Sequence, residues 1–161
     1  MPGSKPFTIP KSLLRHPAAA SDLKALSGGG FAPVIPDARA PKTAKRVLMC
    51  SGKIYYELDQ RRRELKAGDT AIVRLEQFHP FEAEALKAAL KPYANVKRWC
   101  WVQEEPENMG AWGFLRHRLE ELLGAPVNYI GRPAAASPAT GFPAIYRQQQ
   151  AAIGEKAFAE I

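Results

Sequence analysis

A serine, a glycine and a lysine stand together at positions 51–53, between an apolar run and an amphipathic segment. Free N–H groups at a helix N-terminus, the helix dipole and the ammonium group of Lys53 can together hold a phosphate. The sequence here has neither the glycine pattern of a P-loop nor that of a dinucleotide fingerprint. Two interpretations stay open, an anion site that includes Ser51 and Lys53 and, favoured over it, a plain strand–helix turn.

Three glutamates further along the chain, Glu104, Glu105 and Glu107, are the candidates for acid–base chemistry. Neighbouring carboxyl groups can exchange protons with a substrate when their environments differ. A solvated acidic loop, or one half of a salt bridge across an interface, is the favoured alternative.

Other chemically capable side chains give weaker signals. The three histidines are far apart in sequence: His16, His79 and His117. His79 is the best placed, yet no Ser, Cys or Asp constellation accompanies it, so a structural or surface role is favoured. The arginines at 61–63 are interpreted as a solvated helix face, with a polyphosphate contact as the functional alternative. The three tryptophans are interpreted as core or interface residues rather than a cofactor site.

Composition limits the classes of protein to consider. The chain has 161 residues, 46% of them hydrophobic, and a formal charge of +7 that is spread along the sequence. Because no recognition motif accompanies this charge, nucleic-acid binding is not favoured. No apolar stretch approaches the roughly 20 residues of a membrane span, and no signal peptide is evident. Cys50 and Cys100 lie in apolar runs and are expected to be buried and reduced, in the cytoplasm or, in a eukaryote, the mitochondrial matrix.

The stretch at 96–112 is expected to position the three glutamates. Val96 to Val102 is a short apolar run typical of a strand buried in a parallel sheet. Pro106 has no N–H and cannot continue a central ladder, so the strand is predicted to end in an acidic loop. A turn and a helix that opens at Trp112 follow. The glutamates would then lie at the carboxyl end of the strand, where α/β sheets usually bind ligands.

Alternating strands and helices surround this stretch. Further strands are predicted at 47–50, 70–75 and 127–130. Helices are predicted from Ile54 with Leu58 and Leu65 on the buried face, from Phe81 to Leu90, from Trp112 to Leu123, and from Pro143 to Phe158. This order predicts an α/β fold with three layers and a mostly parallel sheet. The residues alone support a flavodoxin-like or transketolase C-terminal-domain-like fold and no self-contained active site.

The N-terminal part, residues 1–45, is predicted to be largely irregular. A short helix is expected at 22–26, an edge segment at 31–35, and a polar linker at 37–44. The apolar side chains of this part have no regular element to bury them: Leu13, Leu14, Phe31, Val34 and Ile35. We therefore expect an exposed apolar patch and self-association.

Five motifs occur in an order that resembles a known family. They read PKSLLRHP at 10–17, CSGKIYY at 50–56, RLEQ at 74–77, QEEPENMGAW at 103–112, and GRPAAASPATG at 131–141. Together they look like the C-terminal domain of the thiamin-dependent first, decarboxylating component of the 2-oxoglutarate dehydrogenase complex. The resemblance covers nearly the whole chain, and it implies a transketolase C-terminal-like α/β domain at 46–161.

The resemblance also sets expectations about cofactor and activity. In the parent family, thiamin diphosphate and magnesium are held by upstream domains, of which residues 1–45 would be a remnant and residues 7–9 the last strand. This chain would then be a split-off or truncated piece of 2-oxoglutarate dehydrogenase (succinyl-transferring). We expect no catalytic residue, no cofactor-binding residue and no metal site in it.

The expected function is that of a C-terminal domain of an enzyme for the oxidative decarboxylation of 2-oxoglutarate in the tricarboxylic acid cycle, with a role in dimerisation or regulation. The expected partners are the upstream catalytic domains, supplied by another chain, and a second copy in a homo-oligomer, with neither nucleic acid nor membrane. The resemblance implies an allosteric nucleotide or CoA site at Arg15, Ser51 and Lys53. The alternative is a non-enzymatic remnant that acts as an assembly or nucleotide/CoA-binding module.

Overall fold

The computed structural model describes residues 13–21, 23–27, 30–39, 41 and 43–159. The chain divides into two compact units, Met1–Phe31 and Ala32–Ile161. The first unit contains α1 (Leu23–Ser27), which confirms the predicted short helix. Leu14 and Phe31, in this unit, are 68% and 80% exposed. The strand expected at 7–9 lies outside the described residues.

The second unit is built on one five-stranded sheet in the order β1-β3-β2-β4-β5. The strands are β1 (Val34–Ile35), β2 (Arg46–Cys50), β3 (Thr70–Leu75), β4 (Arg98–Pro106) and β5 (Val127–Arg132). β1 pairs antiparallel with β3, and the other neighbouring pairs are parallel. The helices are α2 (Ile54–Glu64), α3 (Ala83–Leu90), α4 (Trp112–Leu123) and α5 (Pro143–Phe158).

Both faces of the sheet are covered, which explains the unbroken apolar runs of the central strands. Met49 and Trp101 face a core that includes residues of α3 and α4. Leu48 and Cys100 face a second core that includes residues of α2 and α5. The predicted three-layer α/β fold is confirmed. No helix of the described ranges is long and apolar enough to cross a membrane.

The two cysteines are buried and are not joined in a disulfide, as predicted. Burial raises the pKa of the Cys100 thiol, and of the Cys50 thiol more strongly. Both therefore remain neutral and behave as small core residues.

The predicted end of the strand at 96–102 was wrong, because β4 continues through Glu104 and Glu105 to Pro106. Pairing with β2 stops at Val102, whereas β5 pairs again where Arg132 lies opposite Pro106, after a shift in register. Pro106 thus lies where β4 has already lost one neighbour, and its missing N–H costs the ladder little.

The prediction that the arginines at 61–63 form a solvated face was wrong for Arg62. α2 ends at Glu64, Leu65 is 48% exposed, and the buried positions of α2 are Ile54, Leu58 and Arg62. The Arg62 guanidinium pairs with Asp37 and, at 2.7 Å, with Asp59. Two carboxylates compensate the charge, so the helix can turn this arginine inward.

Two expectations about residues 31–44 need correction. Val34 is buried rather than left without an element, because β1 pairs with Leu75 and Arg74 of β3. The edge position predicted for this segment is confirmed. Asp37, predicted to begin a polar linker, is also buried, and its Oδ2 accepts the Ile72 N–H at 2.8 Å.

Candidate functional site

Polar and charged side chains gather at the carboxyl ends of the parallel strands, the edge where α/β sheets usually bind ligands. We call this set the carboxyl-edge cluster. Its members come from the ends of β2 to β5 and from α2 and α5: Ser51, Gly52, Lys53, Glu57, Arg74, Glu76, Glu104, Arg132, Tyr146 and Gln150.

Lys53 lies between two carboxylates. Its Nζ is 2.7 Å from Glu57 Oε1, one turn along α2, and 2.8 Å from Glu104 Oε1 on β4. Burial alone would lower the pKa of Lys53, but hydrogen bonds to Glu104 and Glu57 outweigh it and raise this pKa above its ordinary value. The lysine is therefore a fixed cation and not a general base at neutral pH.

α5 closes over this pair of carboxylates. Gln150 Nε2 donates to Glu57 Oε2 at 2.7 Å and to Glu104 Oε1 at 2.9 Å. The Tyr146 hydroxyl donates to Glu104 Oε1 at 3.3 Å. Glu104 thus joins the end of β4 to α5 and to the start of α2. The other two candidate glutamates, Glu105 and Glu107, are exposed.

A second anion, the carboxylate of Glu76, occupies the turn between β2 and α2. The Gly52 N–H lies 3.3 Å from both of its oxygens, and Ser51 Oγ donates to one of them at 3.5 Å. Arg74 Nε donates to the same carboxylate at 2.7 Å. Gly52 has a φ of +67°, a conformation that favours glycine. The donors that the sequence predicted for a phosphate thus already hold an anion of the chain itself.

Aromatic rings support the guanidinium of Arg74. Its Cζ lies 4.5 Å from the ring centre of Tyr55 and 5.5 Å from that of Tyr56. Burial would lower the pKa of Arg74, but the charge of Glu76 and its hydrogen bond raise it. The ion pair of Arg74 and Glu76 is therefore held in a fixed position beside the turn.

The remaining sequence candidates lie apart from the cluster or outside its unit. Arg15 is exposed and belongs to the first unit, so the proposed set of Arg15, Ser51 and Lys53 remains a prediction. His79 and His117 are exposed, and His16 Nδ1 accepts the Ala18 N–H at 3.3 Å. In the described part of the chain no three His, Cys, Asp or Glu side chains are grouped to hold a metal ion.

A buried amide, missed in the sequence, organises the chain behind the cluster. Gln103 Oε1 accepts the Trp101 indole N–H at 2.9 Å and the Trp112 backbone N–H at 3.1 Å. Its Nε2 donates to Met109 O at 2.8 Å and to Pro106 O at 3.2 Å. Gly110 has a φ of +67°, and a Cβ there would lie 2.9 Å from this amide nitrogen. Gln103 thus fixes the turn that leads into α4.

Several members of the carboxyl-edge cluster were also missed. Glu76 had a usable signal, because it directly follows β3 at the same sheet edge as the Ser51 turn. The sequence gave no signal for Gln150 or Arg132, because their contacts depend on how α5 crosses the sheet.

Comparison with known proteins gives a consistent result. The family model for the 2-oxoglutarate dehydrogenase C-terminal region matches residues 20–158. The chain is similar to the 2-oxoglutarate dehydrogenase E1 component of Cupriavidus necator, with 48% identity over 98% of this chain and 17% of the relative. It is also similar to the 2-oxoglutarate dehydrogenase E1 component of Haemophilus influenzae, with 49% identity over 92% of this chain and 16% of the relative. A 2-oxoadipate dehydrogenase complex component E1 of Xenopus laevis is 42% identical over 94% of this chain and 17% of its own length. The chain thus spans about a sixth of the length of these relatives.

Proposed function

The chain belongs to the 2-oxoglutarate dehydrogenase C-terminal family, and we propose that it works as the C-terminal domain of a 2-oxoglutarate dehydrogenase E1 component. The match over residues 20–158 carries this proposal. The α/β fold supports it. The activity in which it takes part would be the oxidative decarboxylation of 2-oxoglutarate in the tricarboxylic acid cycle.

The proposed role of the domain is structural and regulatory. In the carboxyl-edge cluster the cations Lys53 and Arg74 are matched by the carboxylates of Glu57, Glu104 and Glu76. The described residues offer neither a diphosphate-binding motif nor a group of metal ligands, so thiamin diphosphate with magnesium does not fit them. We assign no step of the decarboxylation to this chain.

The test is reconstitution with the upstream part of the Cupriavidus necator relative. We expect the mixture to oxidise 2-oxoglutarate, and the upstream part alone to be much less active. 2-Oxoadipate belongs in the same assay, because relatives named for it are 41–42% identical to this chain. No gain over the upstream part alone would contradict the proposal and favour a non-enzymatic assembly or ligand-binding module.

The purified chain is expected to bind neither thiamin diphosphate nor magnesium and to leave 2-oxoglutarate unchanged. The reason is that Lys53 and Arg74 are paired with carboxylates and that no metal-ligand group occurs among the described residues. Calorimetric titration with cofactor and magnesium measures this, and saturable micromolar binding would show that the expectation is wrong.

We also propose that the Ser51 turn and Lys53 are part of an allosteric site for the phosphates of an adenine nucleotide or CoA. The Gly52 N–H of this turn already donates to the Glu76 carboxylate, which supports the proposal that the turn can bind an anion. Arg15, which the family resemblance adds to this set, belongs to the first unit and stays a prediction. A ligand phosphate would have to compete with Glu76 and Glu104 for these donors, which predicts weak binding.

Lys53→Ala is expected to weaken nucleotide or CoA binding by about 1–2 kcal/mol, the scale of one charge-assisted hydrogen bond. The ligand-induced rise in melting temperature is the measurement. Lys45→Ala is the matched control, because Lys45 is exposed and pairs with Asp69 at 3.8 Å. Equal ligand-induced shifts in wild type and Lys53→Ala would remove Lys53 from the site.

Self-association is proposed as a further property. Large apolar side chains are exposed in both units, among them Leu14 at 68%, Phe31 at 80% and Phe142 at 69%. Light scattering at low micromolar concentration is expected to show a homo-oligomer, or a monomer that binds added upstream domains. A monodisperse monomer that ignores those domains would contradict this proposal.

A further inference from the structure

A cavity separate from the Lys53 and Glu76 contacts lies between the loop that follows β5 and the start of α5. Its volume is about 370 Å³, within the usual range of small-molecule sites. Most of its wall is apolar, with Pro106, Pro133, Pro138, Phe142 and Ile145 among the residues that line it. A cavity of this size suits a small molecule with an aliphatic body.

Polar atoms without partners are concentrated in this wall. Five buried side-chain nitrogen or oxygen atoms of the described residues have no hydrogen-bond partner. Three of them belong to residues that line the cavity: Arg132 Nε, Thr140 Oγ1 and Gln149 Oε1. Leaving such a group unsatisfied costs about 1–3 kcal/mol, so an occupant that satisfied all three would be stabilised. Each of the three atoms has less than 1 Å² of accessible surface, so its side chain must turn toward the cavity to reach a ligand.

Arg132 sets the charge of that occupant. The residue is 6% exposed, and no carboxylate of the described residues lies within ion-pair distance of it. Its Nη2 donates to the neutral Gln150 Oε1 at 3.2 Å, and its Cζ lies 4.8 Å from the ring centre of Tyr146. The buried Arg62, by contrast, has two carboxylate partners. Burying a guanidinium without an anion beside it is unfavourable, so the carboxylate of a ligand would compensate the charge of Arg132.

We propose that this cavity binds a small aliphatic carboxylate that also carries a hydroxyl group. The carboxylate accepts hydrogen bonds from Arg132 and from the hydroxyl group of Thr140. The ligand hydroxyl donates to Gln149 Oε1, and the aliphatic part packs on the proline, phenylalanine and isoleucine walls. This inference goes beyond the proposed function, and its test does not depend on dehydrogenase activity.

The test is titration of the full chain with 2-hydroxyisocaproate, followed by calorimetry and by the NMR signal of the Arg132 Nε–H. We expect saturable binding that shifts this signal, with isocaproate several-fold weaker because it has no hydroxyl. Isocaproamide, which has no charge, is expected to bind at least tenfold more weakly. Binding of the amide equal to that of the acid, or of inorganic phosphate equal to that of the carboxylates, overturns the proposal.

Two variants separate a ligand site from a structural cavity. Thr140→Val keeps the shape of the side chain and is expected to weaken binding at least threefold, while its melting temperature does not fall. Ser137→Ala is the matched control, because the Ser137 hydroxyl lines the same cavity but already donates to Ala139 O at 2.8 Å. No saturable binding of any carboxylate to the folded wild-type chain means that ordered water fills the cavity, and this result overturns the proposal.

Discussion

Asp37→Ala is expected to lower the free energy of unfolding by about 3 kcal/mol. Asp37 is 6% exposed, and its carboxylate accepts from the Arg62 guanidinium and from the Ile72 N–H. Removing one partner of a buried ion pair costs about 3–5 kcal/mol, because the other charge stays buried without compensation. The lower end applies here, since Arg62 keeps Asp59 at 2.7 Å. Urea unfolding followed by circular dichroism gives the value.

Two controls identify the cause. Asp69→Ala removes the carboxylate of an exposed pair with Lys45 at 3.8 Å and is expected to cost less than about 1 kcal/mol. Asp37→Asn keeps an acceptor for the Ile72 N–H but loses the charge, so it should fall between wild type and Asp37→Ala. If Asp37→Ala were no more destabilising than Asp69→Ala, the buried pair would contribute nothing to folding.

Gln103→Met is expected to cost about 2–4 kcal/mol, although methionine has nearly the same volume. The change leaves the Trp101 indole N–H and the Trp112 backbone N–H without an acceptor, and the carbonyl of Met109 without its donor. Each buried group left unsatisfied costs about 1–3 kcal/mol. The total is smaller than the sum because water that enters the turn can bond some of these groups. Urea unfolding measures the loss, and tryptophan fluorescence reports the change around Trp101 and Trp112.

Gln60→Met is the matched control for this substitution. Gln60 Nε2 donates to Glu64 Oε1 at 2.9 Å on the exposed side of α2, so its loss is expected to be close to neutral. A Gln103→Met variant as stable as Gln60→Met would mean that the turn and α4 hold their positions without the buried amide.

Elements bounded by strong local signals were predictable from the sequence. β3 at Thr70–Leu75 and α5 at Pro143–Phe158 have the predicted limits. β3 is an almost unbroken buried run that follows Gly68, and α5 begins at Pro143, so a local signal marks the start of each element. α4 ends at Leu123 as predicted, and Gly124 follows it with a φ of +62°, the left-handed conformation that glycine commonly adopts after a helix.

Features that depend on distant partners were not predictable in this way. Arg62 sits in a run of three arginines, and its burial depends on two carboxylates, Asp59 on the same helix and Asp37, which lies 25 positions earlier in the chain. The extension of β4 to Pro106 depends on the length of β5 beside it. In the carboxyl-edge cluster, the sequence placed Lys53 beside a helix start and Glu104 at a strand end, but it did not indicate that they pair. It gave no signal for Gln150, which approaches from α5.

The shortness of β1 has a consequence for aggregation. β1 pairs only with Leu75 and Arg74, so among the described residues no strand lies beside the first part of β3 on that side. An open strand edge is a template on which another chain can add a strand. The Asp37 side chain occupies the outward N–H of Ile72 in this part, and an incoming strand would meet a carboxylate there instead of a donor. We therefore expect this one aspartate to hinder edge-to-edge association at Ile72, although β1 is short.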